Sequence, residues 1–203
     1  GDPIEVDQLR LGQVFATLAE KGDELDKRRR VGQLALAADA GEPDAHIHRI
    51  AALAGVAEWP DADLQITSVD TDSGALQVWT RHTAATLAQA LASSTSVPGV
   101  FPPIPIGQSR YMDGGMRSAI NADLAAGADT VIIMEPLAHL FPRQRSDREH
   151  GAATEISIVP DAETIAVFGA DMFSPTVLPA AYQAGIRQAG DAAPGLTGHG
   201  LDS

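Results

Sequence analysis

Asp113, Gly114 and Gly115 directly follow Tyr111 and Met112, and nowhere else in the 203 residues do residue type and spacing lend themselves so readily to chemistry. A carboxylate at the end of a strand is held by strand and loop together at a sheet edge. The two glycines admit positive φ and leave room for a neighbouring segment to come close. A carboxylate fixed in this way can orient or deprotonate a hydroxyl about 3 Å away. Taken alone, the three residues point more readily to a plain Asp-Gly hairpin turn. The six histidines carry weaker signals. His46 and His48 stand two apart on an expected helix, so they point to different faces and read as surface residues. His82, just before an expected helix start, is a candidate polar neighbour of the site. His139 and His150 flank residues 143–148, an Arg-rich stretch read as a solvent-exposed, mobile loop. There is no cysteine, which excludes disulfides, thiol catalysis and Cys-ligated zinc. No side-chain cluster has metal-ligand spacing, and neither a metal nor a cofactor is expected.

The elements that must position Asp113 can be read from periodicity and punctuation. Residues 1–60 read as helices only. Asp7 caps a first helix with Leu11, Val14, Phe15 and Leu18 on one face, and Gly22 ends it. A second begins near Asp26 and groups Val31, Leu34 and Ala38. Pro43 opens a third, whose apolar stripe is Ile47, Ile50 and Ala54. From about residue 61 the period becomes two. Leu64 to Thr67 and Leu76 to Thr80 form a hairpin around Asp72-Ser73-Gly74. Thr83 caps an alanine-rich helix running to about Ser94. The sequence Val97-Pro98-Gly99-Val100-Phe101-Pro102-Pro103 reads as a stiff extended segment that cannot be helical. Ile104-Pro105-Ile106 and Ser109-Arg110-Tyr111 are short strands around Gly107-Gln108. Thr130-Val131-Ile132-Ile133-Met134 suits a strand buried on both faces of a parallel sheet, with Glu155 to Val159 as a second. Helices from Ala162 and from Pro179 to Ala189 follow, and residues 191–203 read as a flexible tail. Strands alternating with helices indicate an α/β class with a helical region at the front, the α/β part spanning residues 61–190.

The stretch over residues 92–123 resembles the patatin-like phospholipase family, bacterial members in particular. A small-residue helix leads into Ala92-Ser93-Ser94-Thr95-Ser96, then Val97-Pro98-Gly99-Val100-Phe101-Pro102-Pro103, a short hairpin, and Asp113-Gly114-Gly115. Asn121 stands where the family has an asparagine, and Gly127-Ala128-Asp129 precedes a hydrophobic strand as it does there. Val159-Pro160-Asp161-Ala162-Glu163 and Tyr182-Gln183-Ala184-Gly185 resemble bacterial members near their C-terminal end. The resemblance covers about residues 62–190. It implies a three-layer α/β/α domain and a lipid acyl hydrolase using a Ser-Asp dyad. Asp113 matches the dyad aspartate and would act as base on the serine without an intervening histidine. Gly114 and Gly115 would shape its loop.

One part of the family pattern is missing. No G-x-S-x-G nucleophile elbow occurs in the 203 residues, nor does a Gly-rich oxyanion loop. The resemblance therefore implies an N-terminally truncated domain, with the serine-bearing strand and helix preceding Gly1. Ser93, Ser94 and Ser96 are expected to be structural, bonding the backbone beneath the site.

The net charge of −13 argues against nucleic acid and against simple adsorption to anionic lipid. The basic run at residues 27–30 reads as a solvated helix face. The expected substrate is an acyl lipid or ester, met by transient contact with a membrane surface. Leu11, Phe15 and Leu18 are candidates for an acyl groove, and Leu137, Leu140 and Phe141 form an apolar patch read chiefly as a strand-end core contact. Neither a signal peptide nor a membrane-spanning run is seen, which favours a cytoplasmic or membrane-peripheral place. Two other readings stand beside this one: a catalytically inactive patatin-like binding or scaffold module, and an unrelated α/β domain with an incidental Asp-Gly-Gly turn.

Overall fold

The computed structural model describes residues 6–55, 57–168 and 177–197. They fall into two compact units that meet in sequence between Ser118 and Ala119.

The first unit begins with three helices, α1 (Gln8–Ala19), α2 (Glu24–Leu36) and α3 (Pro43–Ala54). Asp7 caps α1 by accepting the Arg10 amide N–H at 2.9 Å, as its position in the sequence predicts. Pro43 occupies the first turn of α3, where its missing N–H leaves no bond unmade. The basic run departs from expectation at two of its four positions. The Lys27 ammonium is buried and donates to the Leu18 and Glu20 carbonyls, both at 3.1 Å, at the negative end of α1. Arg28 donates to the Gly74 carbonyl at 2.7 Å. Arg29 and Arg30 are exposed and pair with Asp26 and Glu20.

Four antiparallel strands follow in the spatial order β2-β1-β4-β3: β1 (Ile66–Asp70), β2 (Leu76–Trp79), β3 (Ile104–Ile106) and β4 (Ser109–Asp113). The pleat sorts their side chains. Ile66, Trp79, Ile104, Ile106 and Tyr111 pack with Leu87, Ala90 and Ala92 of helix α4 (Leu87–Ser94), and with Ile47 and Ile50 of α3. Val69 and Met112, on the opposite face, pack with Val14 of α1 and Val31 and Ala35 of α2. Leu18 packs, partly buried, against that second cluster, and Phe15 is 37% exposed. Trp79 shows why this hairpin has a single register. Its ring meets the edge of Tyr111 at 4.8 Å, and its Nε1–H donates to the buried Ser68 Oγ at 2.7 Å.

Two local expectations move. Helix α4 is capped by Thr86 rather than Thr83, because Thr86 and Gln89 exchange side chain-to-backbone bonds as a capping box. Thr83 instead closes a turn, its hydroxyl donating to the Thr80 carbonyl at 2.6 Å. Residues 97–101 are not extended. Gly99 takes φ +85°, and the amides of Val100 and Phe101 both donate to the Val97 carbonyl at 3.0 Å, so Pro98 sits inside a tight turn that Pro102 and Pro103 follow.

The second unit holds a parallel pair, β5 (Thr130–Met134) and β6 (Thr154–Ile158), in register Thr130 to Thr154. Only one face of β5 is buried. Val131 and Ile133 pack inward, while Ile132 and Met134 are 37% and 69% exposed. The stretch 143–148, expected as a solvent-exposed, mobile loop, has Gln144, Arg145 and Arg148 exposed but is anchored at two other residues. Asp147 is 1% exposed and accepts the amides of Ala122 and Gln144. Arg143 bridges Glu135 and Glu155, and the buried His150 bonds Glu155 at 2.8 Å. Helix α5 (Ala162–Phe168) is held to helix α6 (Leu178–Thr197) by Arg187, which forks onto Asp161. Helix α6 passes through Gly190, where the sequence suggested an end; an interior glycine costs only about 1 kcal/mol against alanine. The tail expected beyond it lies outside the described residues from 198 onward.

Two helical glycines separate packing from propensity. A Cβ at Gly32 would lie 2.0 Å from the Thr71 carbonyl oxygen, whereas one at Gly12, exposed on α1, would meet nothing within 4 Å. Gly32→Ala is expected to destabilise the protein by about 1–3 kcal/mol, and Gly12→Ala to stabilise it by about 0.5–1 kcal/mol. Urea midpoints at constant slope measure both, and equal shifts would refute the close approach of α2 to β1.

Candidate active site

Asp113 is the last residue of β4, an inner strand of the sheet, and stands opposite Ser68 of β1. Its rim position is thus a strand end, not a lateral edge of the sheet. Three constraints fix it. Pairing with β1 sets the direction in which the strand ends. The Asp113 amide donates to the Ser96 carbonyl at 3.0 Å, just past the end of α4. The chain then winds at once into a 3₁₀ turn, Gly114–Met116, and Asp113 Oδ1 accepts the Gly115 amide N–H at 2.6 Å.

The glycines are needed for closeness. Neither Gly114 nor Gly115 has a positive φ, which corrects half of the expectation placed on them. The other half holds. A Cβ on Gly114 would lie 2.3 Å from Thr67 Oγ1 and 2.6 Å from the Thr67 carbonyl oxygen. A Cβ on Gly115 would come 2.9 Å from Asp113 Oδ1 itself. The first glycine lets β1 lie against the turn, and the second lets the turn fold over its own carboxylate.

Burial pushes the Asp113 carboxyl up to about 6, and the Gly115 N–H, which favours the anion, only partly offsets that. Asp113 keeps some contact with solvent, and its Oδ2 receives no hydrogen bond from the described residues. One oxygen is clamped and the other is available to a donor.

The hydroxyls beneath it behave as structural groups. Ser93 Oγ donates to the Ala90 carbonyl and Ser96 Oγ to the Ala92 carbonyl, both at 2.8 Å, and both residues are buried. Ser68 is fully buried and bonded by Trp79. His82 is exposed in the turn after β2. His48 is exposed as expected, but His46 is not: it is 1% exposed, and burial followed by the nearby Arg49 charge pushes its imidazole down to about 4. Its helix face is covered by α4 and the 97–101 turn, long-range packing that a local spacing rule does not register. No group of His, Asp and Glu suited to a metal occurs among the described residues. In the second unit, Ile120, Leu137, Ala138 and Phe141 line a shallow pocket of about 80 Å³ beside Glu135. That carboxylate is fully engaged by Arg143 and Ser157, which hold it below its ordinary range. Leu140 is 51% exposed beside this pocket.

A family model described as patatin-like phospholipase matches residues 14–126, more than half of the chain, with Asp113 inside the match. No curated protein matches the chain. No described helix is long and apolar enough to cross a membrane.

The raised carboxyl has a sign that can be checked by stability. Its folded pKa lies above the ordinary 3.8, so the charge Asp113 carries above pH 6 weighs against the fold, and below pH 4 it is neutral in both states. Asp113→Asn keeps an oxygen for the Gly115 amide and removes the charge. It is expected to stabilise the chain by on the order of 1–3 kcal/mol at pH 8, with the gain fading between pH 6 and 4. Denaturation across that range measures it; a gain that grows toward acid would contradict the burial described.

Proposed function

The chain belongs to the patatin-like phospholipase family, and from that membership we propose that it serves lipid acyl hydrolysis, with Asp113 as the general base of a Ser-Asp dyad. The carrying observation is the half-satisfied carboxylate, with Oδ1 held at 2.6 Å by Gly115 and Oδ2 open to a hydroxyl. A base is most effective when its pKa lies near the working pH, and a carboxyl raised to about 6 meets that condition without a histidine relay.

In this reading the serine is supplied by polypeptide outside these 203 residues. Asp113 accepts its proton as the oxygen attacks the ester carbonyl. The resulting carboxylic acid returns that proton to the leaving alcohol as the tetrahedral adduct collapses to an acyl-enzyme. Water is then deprotonated by the same carboxylate, attacks the acyl-enzyme and releases the fatty acid, and the proton goes back to the serine. Gly114 and Gly115 keep the carboxylate in place through both halves. Ser93, Ser96 and Ser68 are unsuited to the nucleophile's part, being buried and engaged where they stand. The substrate is an acyl lipid met at a membrane surface.

In protein carrying the serine segment, Asp113→Asn is expected to lower kcat by about 10²- to 10⁴-fold. The acid limb of kcat/KM for the unaltered enzyme is expected near pH 6, rising with pH as Asp113 loses its proton. Ester hydrolysis measured between pH 4 and 9 gives both quantities. Turnover that survives the substitution, or fluorophosphonate labelling of a serine within the 203-residue chain, would sink the proposal.

A further inference from the structure

His46 is the buried titratable group that the proposed chemistry leaves unused. Burying an imidazole among apolar side chains is unfavourable unless both nitrogens are bonded, and here both are. Arg49 Nη2 donates to Nδ1 at 2.6 Å, so Nε2 carries the proton and donates to Thr95 Oγ1 at 3.2 Å, with the Ala92 carbonyl also facing it. The ring stacks on Phe101, centroids 4.3 Å apart and planes 19° from parallel, and the Arg49 guanidinium lies 4.7 Å from the centre of the same phenyl ring. The groups that meet the imidazole are therefore Arg49 from its own helix, Thr95 and the Ala92 carbonyl from the end of α4, and Phe101 from the turn.

Thr95 and Phe101 bracket the connection that contains Ser96. The Ser96 carbonyl is the acceptor for the Asp113 amide at 3.0 Å. His46 thus grips, from α3, both ends of the segment on which the end of β4 rests. Of the segment's other bonds, Ser96 Oγ to the Ala92 carbonyl and the Val100 and Phe101 amides to the Val97 carbonyl are local, and the Asp7 amide, which donates to the Gly99 carbonyl at 3.1 Å, ties the turn to the start of α1. They shape the turn without tying it to α3. We propose that His46 is a positioning residue for Asp113, holding residues 95–101 so that the carboxylate is presented in one geometry. This rests on Asp113 being the base, and it assigns to the helical region a part in the reaction that contact with substrate does not require.

The test uses amide exchange and carboxyl titration by NMR on the 203-residue chain, joined to kinetics on protein carrying the serine segment. His46→Phe keeps the stacked ring and removes both hydrogen bonds. His46→Gln keeps an N–H donor within reach of Thr95, and Thr95→Val removes the acceptor together with the hydroxyl's own bonds to the Leu91 and Ala92 carbonyls. In His46→Phe and Thr95→Val, exchange of the Asp113 amide is expected to accelerate at least tenfold while the β1 and β2 amides keep their protection. The Asp113 midpoint is expected to fall from about 6 by a unit or more. In the enzyme, kcat is expected to fall about tenfold at constant KM, with His46→Gln restoring most of it. If Asp113 exchange and titration are unchanged in Thr95→Val and His46→Phe, the positioning role is overturned and the base assignment stands. Full turnover in Asp113→Asn overturns the base assignment, and with it any catalytic object for His46.

Discussion

The bond from the Asp113 amide to the Ser96 carbonyl joins the two places where the first unit could otherwise come apart, the end of its central helix and the end of an inner strand. Much of the remaining architecture serves that bond. The capping box fixes where α4 starts. The hydroxyls of Ser93 and Ser96 bond back to carbonyls of the last turn and keep the helix from unravelling into the connection. Gly114 lets β1 come close enough that the strand has no freedom to end elsewhere. The result is a carboxylate whose backbone is fixed from two sides before its side chain makes a single contact.

The sequence shows those parts of this arrangement whose causes are local. Asp7 as a cap, Pro43 at a helix start, the hairpin around Gly74 and the turn at Gly107 each follow from what the residue does to its own backbone, and each is found where it was read. The Asp-Gly-Gly signal is of the same kind, and its place at a strand end was legible. What the reading missed depends on partners distant in sequence. His46 reads as surface by spacing, yet residues 95 and 101 cover it. The cap of α4 is the exception, missed although its signal is local: Gln89, three residues after Thr86, completes the capping box. The prolines around Gly99 exclude helix, as expected. Whether the chain then runs straight or turns is decided by Asp7, whose amide donates to the Gly99 carbonyl at 3.1 Å from the far end of the unit.

The same distinction explains the second unit. An Arg-rich stretch looks solvated because charge is costly to bury alone. Arg143 is half-buried in company, between Glu135 and Glu155, and Asp147 is buried while accepting backbone amides. Side-chain charge at Arg143 and Asp147 therefore shapes the loop, while Arg145 and Arg148 stay exposed. Strand β5 errs in the other direction. Its continuous apolar run suits burial on both faces, but among the described residues its only paired neighbour is β6, and one face stays open at Ile132 and Met134.

Set beside those carboxylates, Asp113 differs in kind. Glu135, Glu155 and Asp161 each have an arginine, Glu20 has Arg30, Asp7 has Arg10 and a helix amide, and Asp70 has the Ser73 amide and hydroxyl. All six are held below their ordinary range, which makes them stable anions and poor proton acceptors. Asp113, by contrast, is raised. From the described residues it receives burial and one amide, and no cation. An arginine beside it would recover the stability that burial removes, and would also lower its pKa until a serine proton had no reason to move there. The absence of a countercharge is therefore what the proposed chemistry requires of this position. It also bears on the partner: a hydroxyl that donates to Oδ2 satisfies the open oxygen without adding charge, so the group the site lacks for stability is the one it needs for reaction.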